Sequence, residues 1–364
     1  MNISQGRIPV LDGIRGMAIV GVMLNHFLLV SHDNGPWWWT VFTSGYLGVD
    51  LFFVLSGFLI TNILLENRAG KHYFQGFYAR RVLRIFPLYY LSIFLVWIMV
   101  RFIEQHPERM VGYDSLFWYW TYLSNFAVSL KQTWTYQSDY LALNHFWSLA
   151  IEEQFYLVWP LLIYFGTRRQ LVWILLGLLM VATPARYLAD HFYGPWSLAS
   201  TLMTPCRLDA LAAGSLLALA VQSPRAQPWL SSKPLLYGTM GLLSAATLYF
   251  VLVGGPHFKS TVYSLFFAVA ILIALQDRGW IQAALSHPFL LEMGKYSYAL
   301  YIFHHLFKPA YLRLFGYMLF GMMPEWIAQV LYMAITFTIT YGLSLLSWRY
   351  IEQPILRLKD RFPY

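Results

Sequence analysis

Arg15 and His26 are the first two side chains in the sequence whose types and spacing could do chemistry. They lie in the apolar run LDGIRGMAIVGVMLNHFLLV, residues 11–30, which also holds Asp12. In a helix, eleven residues at about 100° each leave the two side chains about 20° apart around the axis and about 16 Å apart along it. Because an ionisable side chain within an apolar span is costly, its default interpretation is function with a partner elsewhere. One helix face would present a fixed cation and a titratable base.

Two further groups of charged residues follow at the starts of later apolar segments. Arg81 and Arg84, in ARRVLRIFPLYYL, share one helix face and would present two guanidinium forks to phosphates, although anchoring by positive charge at a membrane surface explains them as well. Glu152 and Glu153 follow in HFWSLAIEEQFYLVWPLL, with Ser148 one turn before Glu152 on the same face. At least one of these carboxylates must face a wet cavity or pair with a cation.

The remaining candidates have explanations that compete with chemistry. Asp50 and Ser56 lie in the second apolar segment, GYLGVDLFFVLSGFLIT. Asp209 comes two residues after Arg207, and a local salt bridge explains this pair about as well as catalysis does. For His304, in KYSYALYIFHHLF, a structural hydrogen bond is the favoured interpretation.

The composition indicates what must position these side chains. Hydrophobic residues make up 58% of the 364 residues and charged residues only 12%, whereas a soluble domain has about 25% charged residues. At about 20 residues per span, the sequence predicts an all-α polytopic integral membrane protein, a single domain over residues 1–364 with about ten transmembrane helices. The ten segments lie near residues 10–31, 45–65, 85–103, 146–166, 171–189, 203–221, 235–253, 260–276, 291–308 and 326–347.

The distribution of charge predicts topology and excludes one class of partner. The formal net charge is +8, but the basic residues fall at the ends of spans and form no patch interleaved with exposed aromatic residues. We therefore predict no nucleic-acid binding. Because basic residues accumulate on the cytoplasmic side, their unequal division between the two sides predicts that both termini are cytoplasmic.

Three smaller features bound the architecture. Gly45, Gly48 and Gly57 predict that neighbouring helices approach the second segment closely. The longest stretch between apolar segments, 104–144, is expected to lie at the outer interface and to help roof a site. Cys206 is the only cysteine, which excludes an intrachain disulfide and a metal site built on thiolates, and no metal is predicted.

The motifs, taken together and in order, resemble the membrane-bound acyltransferase 3 family across nearly the whole chain. They are LDGIRGMAIVGVMLNH, GVDLFFVLSGFLIT, ARRVLRIFPLYYL, HFWSLAIEEQFYLVWPLL, CRLDALAAGSLLA, YSYALYIFH and YIEQP. The resemblance implies a polytopic enzyme that uses acyl-CoA, usually acetyl-CoA, to acylate hydroxyl groups of cell-surface or exported glycans, and in some members macrolides or other small molecules. Some relatives append a soluble hydrolase-like domain after the last span, and none is expected here.

The same resemblance assigns family positions to residues of this sequence. The R-x10-H pair falls on Arg15 and His26, the R-x-x-R pair on Arg81 and Arg84, and an acidic position on Glu152. Recurrent motif positions with less settled roles fall on Asp50, Ser56, Asp209 and His304.

The combined hypothesis is an O-acetyltransferase of a bacterial inner membrane. The three arginines would bind the phosphates of acyl-CoA at the cytoplasmic face, and His26 would act as general base toward a carbohydrate or lipid-linked glycan. Glu152 would orient His26 or hold the acceptor, and a covalent acyl-histidine is the less favoured variant. A transporter or flippase would also need intramembrane charges, and a scaffolding protein is a weaker alternative. The oligomeric state does not follow from the sequence.

Overall fold

The computed structural model describes residues 8–29, 40, 42–103, 116–134, 138–255 and 257–364, and these residues contain helices and no β-strand. The eleven main helices are α1 (Pro9–Phe27), α2 (Leu47–Glu66), α3 (Tyr73–Ile98), α4 (Phe146–Phe165), α5 (Arg168–Tyr193), α6 (Leu208–Val221), α7 (Lys233–Val253), α8 (Lys259–Gln276), α9 (Pro288–Lys295), α10 (Ser297–Leu306) and α11 (Glu325–Ser347). Short helices connect them at Leu116–Trp120, Ser124–Lys131, Leu198–Leu202, Gln227–Leu230, Trp280–Leu285, Lys308–Tyr311, Tyr317–Met322 and Gln353–Leu356.

Seven stretches of the described chain are long and apolar enough to cross a membrane. They are Pro9–Phe27, Ser44–Glu66, Tyr73–Phe102, Arg168–Tyr193, Lys233–Val253, Lys259–Gln276 and Glu325–Arg361. The helix α6 is apolar but has only 14 residues, and the predicted ninth segment is divided into α9 and α10 by Tyr296. The predicted all-α membrane architecture is confirmed, whereas ten crossings and cytoplasmic termini stay predictions. Of the segment 104–144, residues 104–115 and 135–137 lie outside the described residues.

Glycines let α2 pack directly against two neighbouring helices. A Cβ atom on Gly57 would lie 2.1 Å from the carbonyl oxygen of Leu211 in α6, and one on Gly214 would lie 1.8 Å from that of Val54. On the other side, a Cβ on Gly45 or Gly48 would lie 2.0 or 2.5 Å from a carbonyl oxygen of α1. The backbones touch where no side chain could fit, which confirms the predicted close approach. This contact holds α1, α2 and α6 in fixed register.

Gly214→Ala is therefore expected to lower the melting temperature or to prevent folding, because overpacking a tight contact costs about 1–3 kcal/mol. Thermal unfolding of the purified protein in detergent, followed by intrinsic fluorescence, measures the effect. Gly177→Ala in α5 is the matched control, since a Cβ there meets no atom within 4 Å. An unchanged melting temperature in Gly214→Ala would contradict the contact.

Candidate active site

An apolar cavity of about 180 Å³ opens between α1, α2, α3, α4 and α10. Most of its wall is hydrophobic, including Phe52, Leu59, Ile60 and Leu149. Its polar groups come from five helices: Arg15 from α1, Ser56 from α2, Arg81 and Arg84 from α3, Ser148, Glu152 and Tyr156 from α4, and Ser297, Tyr298 and Tyr301 from α10. Six of the residues singled out in the sequence thus line one cavity, which we call the apolar cavity.

A second, polar cavity of about 530 Å³ adjoins the first. We call it the basic cavity, because its lining holds six cationic side chains, those of Arg15, Arg80, Arg81, Arg84, Lys295 and Lys359, beside Asp12. Arg15, Arg81 and Arg84 line both cavities. These three arginines therefore form the boundary between a polar, positively charged compartment and an apolar one.

The arginines differ in whether their N–H groups already bind a partner within the protein. Arg15 Nη1 lies 3.2 Å from Asp12 Oδ1, and Arg80 Nε donates to the carbonyl oxygen of Phe362 at 2.8 Å. Arg81 lies over the rings of Phe77 and Tyr156, 5.7 Å from each centroid.

Within the described chain, neither Arg81 nor Arg84 makes a hydrogen bond or an ion pair. Arg84 faces the buried Glu352 only at longer range, and Glu352 accepts a hydrogen bond from Ser347 at 3.2 Å. The N–H groups of Arg81 and Arg84 are therefore available to bind a ligand.

Glu152 faces the apolar cavity, as its spacing predicts. The hydroxyls of Ser56 and Tyr156, which hydrogen-bond each other, lie beside its carboxylate, and the charge of Arg81 faces it. Glu153 points round the helix, does not line the apolar cavity, and has its Oε1 buried with no hydrogen-bond partner among the described residues. Of the two carboxylates, Glu152 is thus the one that faces a cavity and the charge of Arg81.

His26 belongs to a cluster of four histidines at the other end of α1. His26 Nδ1 lies 2.8 Å from His304 Nε2, with the ring centroids 5.0 Å apart and the planes at 18°. His305 lies 5.0 Å from the rings of both His26 and His145. We call these four residues the histidine cluster. It brings together α1, α10 and the start of α4.

Tyr301 and Ser148 connect the apolar cavity to the histidine cluster. Their hydroxyl oxygens lie 2.5 Å apart, and those of Tyr301 and Ser148 lie 3.2 and 3.0 Å from the carbonyl oxygen of His145, so one hydroxyl donates to the other and the second donates to this carbonyl. His26 itself lines neither the apolar nor the basic cavity. One layer of hydrogen-bonded hydroxyls thus lies between the apolar cavity and the cluster.

A third cavity of about 310 Å³ borders the cluster at His305, and we call it the distal cavity. It is lined by His305 together with polar residues that include Asn144, Lys308 and Arg313. Arg313 Nη2 lies 2.6 Å from Asp139 Oδ1, whereas the Lys308 ammonium has no hydrogen-bond or ion-pair partner in the part of the chain that the structure describes. The histidine cluster thus reaches the distal cavity through His305, whereas the hydroxyls of Ser148 and Tyr301 separate it from the apolar cavity.

A comparison with known protein families identifies the family of this chain. A family model described as an acyltransferase domain matches residues 8–345. The chain belongs to this acyltransferase 3 family.

Curated relatives agree with the family. O-acetyltransferase OatA of Staphylococcus aureus strain NCTC 8325 is 29% identical over 389 aligned residues, which cover 97% of this chain and 58% of OatA. A putative O-acetyltransferase of S. aureus strain COL is 27% identical, over 95% of this chain and 57% of the relative. The chain thus spans less than two thirds of the length of these relatives. No solved structure matches the chain.

Most of the family motif positions predicted in the sequence meet around the cavities. The R-x10-H spacing puts Arg15 at the basic cavity and His26 in the histidine cluster, at opposite ends of α1. The hydrogen-bond partner of His26 is His304, and no contact joins His26 to Glu152 in the described structure. Of the two roles considered for Glu152, the structure therefore gives no support to orienting His26, because Glu152 lies beside Ser56 and Tyr156. The other role, holding the acceptor, stays a prediction.

Sequence reasoning missed His145, Tyr301, His305 and Lys308 as neighbours of this candidate site. One signal was available: Tyr301, His304 and Lys308 follow each other at spacings of three and four residues, the spacing of one helix face. Because α10 ends at Leu306, Lys308 continues this direction just beyond the helix.

The two remaining aspartate motif positions form buried ion pairs away from the cavities. Arg207 Nη1 lies 3.1 Å from Asp50 Oδ1, and Arg186 Nη2 lies 2.5 Å from Asp209 Oδ2. The local salt bridge between Arg207 and Asp209, one of the two explanations considered for this pair, is therefore wrong. Residues two apart in sequence point to nearly opposite sides of a helix, so each side chain meets a partner on a different helix.

We expect the Arg186–Asp209 pair to stabilise the acyltransferase fold. Asp209→Asn leaves a buried guanidinium with a neutral partner, and breaking a buried pair costs about 3–5 kcal/mol. Asp209→Asn should therefore lower the melting temperature in detergent, whereas the exposed Asp360→Asn should not. In a double-mutant cycle with Arg186→Gln, additive losses of stability would contradict direct pairing.

Proposed function

We propose that this protein is an O-acetyltransferase of a bacterial cytoplasmic membrane, which transfers an acetyl group from acetyl-CoA to a hydroxyl of a cell-surface or exported carbohydrate. The observation that carries the proposal is the boundary formed by Arg15, Arg81 and Arg84, where a basic cavity meets an apolar one. Acetyl-CoA is divided in the same way, because its phosphates lie at one end and its slender thioester arm lies at the other.

The basic cavity suits the phosphates of the donor. Guanidinium groups bind phosphate through two parallel hydrogen bonds, and the donors of Arg81 and Arg84 are unused by the described chain. The pantetheine arm would then run along the hydrophobic wall of the apolar cavity toward Ser148 and Tyr301. The thioester would arrive at the side of the histidine cluster.

His26 supplies the base in this proposal. The acceptor hydroxyl oxygen attacks the thioester carbonyl carbon while its proton passes to His26 Nε2. The carbon–sulfur bond then breaks, and the thiolate sulfur takes the proton from His26, which leaves the acetyl ester, CoA thiol and neutral imidazole. Proton transfer by a positioned imidazole is worth about 10²–10⁴-fold in rate.

The distal cavity is the proposed entrance for the acceptor. It adjoins the histidine cluster through His305 and is lined by hydrogen-bonding groups such as Asn144, Lys308 and Tyr317, which suit a molecule with many hydroxyls. A carbohydrate or lipid-linked glycan fits this chemistry. Direct transfer across the histidine cluster needs no metal.

Turnover of the donor tests the function directly. The purified protein in lipid nanodiscs, incubated with [¹⁴C]acetyl-CoA and extracted cell-envelope glycans, should release free CoA thiol and label an alkali-labile ester on the glycan. Glycan mass spectrometry of cells with and without the gene should identify the same acetylated product. Absence of acetyl-CoA binding and of thiol release would overturn the proposal.

Topology provides a separate prediction, because the donor and acceptor must meet opposite faces. In a Cys206→Ser background, cysteine at Lys131 should react with an impermeant maleimide added outside intact cells, and cysteine at Lys71 should react only after lysis. Both side chains are exposed. The reverse pattern would place the basic cavity outside and remove its access to cytoplasmic acetyl-CoA.

A further inference from the structure

We infer that His304 is a positioning residue that fixes the tautomer of His26, so that Nδ1 of His26 carries the hydrogen and Nε2 is left as the base. The inference rests on the proposed function, in which His26 takes the proton of the acceptor. It assigns to His304 the part that a carboxylate plays in many hydrolases, although His304 has an imidazole in place of a carboxylate.

The first step is to determine which ring nitrogen of His304 carries the hydrogen. Its Nδ1 lies 3.1 Å from the carbonyl oxygen of Leu300, one turn earlier in α10. A carbonyl oxygen can only accept a hydrogen bond, so Nδ1 of His304 must be the donor. In a neutral imidazole one ring nitrogen donates and the other accepts. Nε2 of His304 is therefore an acceptor.

The second step carries this assignment to His26. Nε2 of His304 lies 2.8 Å from Nδ1 of His26. Because Nε2 accepts, Nδ1 of His26 must donate, and neutral His26 then has its lone pair on Nε2. The chain of hydrogen bonds from Leu300 through His304 thus selects one of two tautomers of His26.

The third step is the effect on the reaction. When His26 Nε2 takes the acceptor proton, the bond from His26 Nδ1–H to His304 becomes charge-assisted, and such bonds are about twice as strong as neutral ones. His304 is fully buried, so water does not compete for its Nε2. The bond therefore strengthens as the proton is transferred, which lowers the barrier.

No other described group could do this for His26. Glu152, which the sequence analysis suggested for this role, lies with Ser56 and Tyr156 in the apolar cavity. His305 contacts the ring of His26 edge-on with centroids 5.0 Å apart, and the described chain has no hydrogen bond between them. His304 is thus the one group in the described part of the site placed to set the tautomer.

Two amide variants separate the two hydrogen bonds of His304. The Asn side chain places its amide near the position of imidazole Nδ1, so His304→Asn can still donate to the Leu300 carbonyl but offers no acceptor to His26. The Gln side chain reaches the position of Nε2, so His304→Gln can still accept from His26. The variants have similar size and polarity, and each serves as a control for the other.

We expect kcat for acetyl transfer to fall about 10- to 100-fold in His304→Asn, the range for losing a hydrogen bond to a charged group, and to be largely retained in His304→Gln. The KM for acetyl-CoA should stay within about twofold in both variants, because neither touches the arginines. Equal losses in the two variants, or a loss that appears only in KM, would overturn the positioning role.

A spectroscopic measurement tests the tautomer without activity. ¹⁵N NMR of histidine-labelled protein in lipid, at a pH where imidazole is neutral, distinguishes protonated from unprotonated ring nitrogens, and subtraction of a His26→Asn spectrum assigns His26. The parent and His304→Gln should show Nδ1 of His26 protonated, and His304→Asn a tautomer mixture. Protonated Nε2 in the parent would overturn the inference. The predicted tautomer in a parent that transfers no acetyl group would overturn the proposed function, and with it the catalytic part of the inference.

Discussion

His26→Ala is expected to lower the rate of acetyl transfer by at least about a hundredfold, the usual minimum for removal of a general base. The binding of acetyl-CoA should stay close to that of the parent, because His26 is about 16 Å along α1 from Arg15 and lines neither the basic nor the apolar cavity. The kcat for glycan acetylation and the Kd for acetyl-CoA, both measured in nanodiscs, separate these two effects.

The variant needs a control for folding, because His26 also contributes a hydrogen bond inside the bundle. Its melting temperature should be compared with that of His191→Ala, which removes an exposed histidine of α5 and should keep the parent rate. Transfer at the parent rate by a folded His26→Ala protein would contradict the assignment. The base would then be sought at Glu152 or His304.

The sequence predicts the membrane bundle and the two ends of the site for clear physical reasons. A charged residue in an apolar segment is costly, so Arg15, His26 and Glu152 stand out without any structure. The helical repeat further places Arg81 with Arg84 and Ser148 with Glu152, and in the structure all four line the apolar cavity.

What the sequence does not predict is which groups meet across helices. His26 and His304 are 278 positions apart, and no local spacing indicates their contact. Arg207 and Asp209 show the same limit, since their sequence proximity favours a local pair, whereas helix geometry directs them to different partners. The division of the predicted ninth span at Tyr296 is hidden because apolar composition continues through it. Partner choice depends on the packing of whole helices against each other, as in the close contact of α2 with α6 at Gly57 and Gly214.

Replacing Arg81 or Arg84 with alanine is expected to weaken acetyl-CoA binding about 10- to 100-fold each, the range for a lost hydrogen bond to a charged group. The physical reason is that their guanidinium donors are unused by the described chain and border both the basic and the apolar cavity. Lysine at either position should restore binding only in part, because an ammonium group cannot form the two parallel bonds of a guanidinium. Isothermal titration with acetyl-CoA measures the Kd.

Arg68→Ala is the matched control for these variants. Arg68 bonds the carbonyl oxygen of Tyr164 at 2.9 Å and lines neither of the two cavities that meet at Arg81. Its removal takes away the same charge near the same loop and should leave the Kd within about twofold of the parent value. Equal weakening in Arg68→Ala and Arg84→Ala would indicate a general effect of net charge.

A shortened ligand shows which part of the donor the arginines contact. Acetyl-3′-dephospho-CoA lacks one phosphate. If an arginine binds this phosphate, the phosphate should no longer contribute to binding affinity once that arginine is replaced by alanine. The binding free energy lost on removing the phosphate and that lost on replacing the arginine should then be strongly non-additive for that arginine and additive for the other. Unchanged binding of acetyl-CoA in folded Arg81→Ala and Arg84→Ala proteins would mean that these residues only anchor the helix at the membrane surface. Loss of binding with full non-additivity at one position would place the nucleotide end of the donor in the basic cavity, which directs the thioester toward His26.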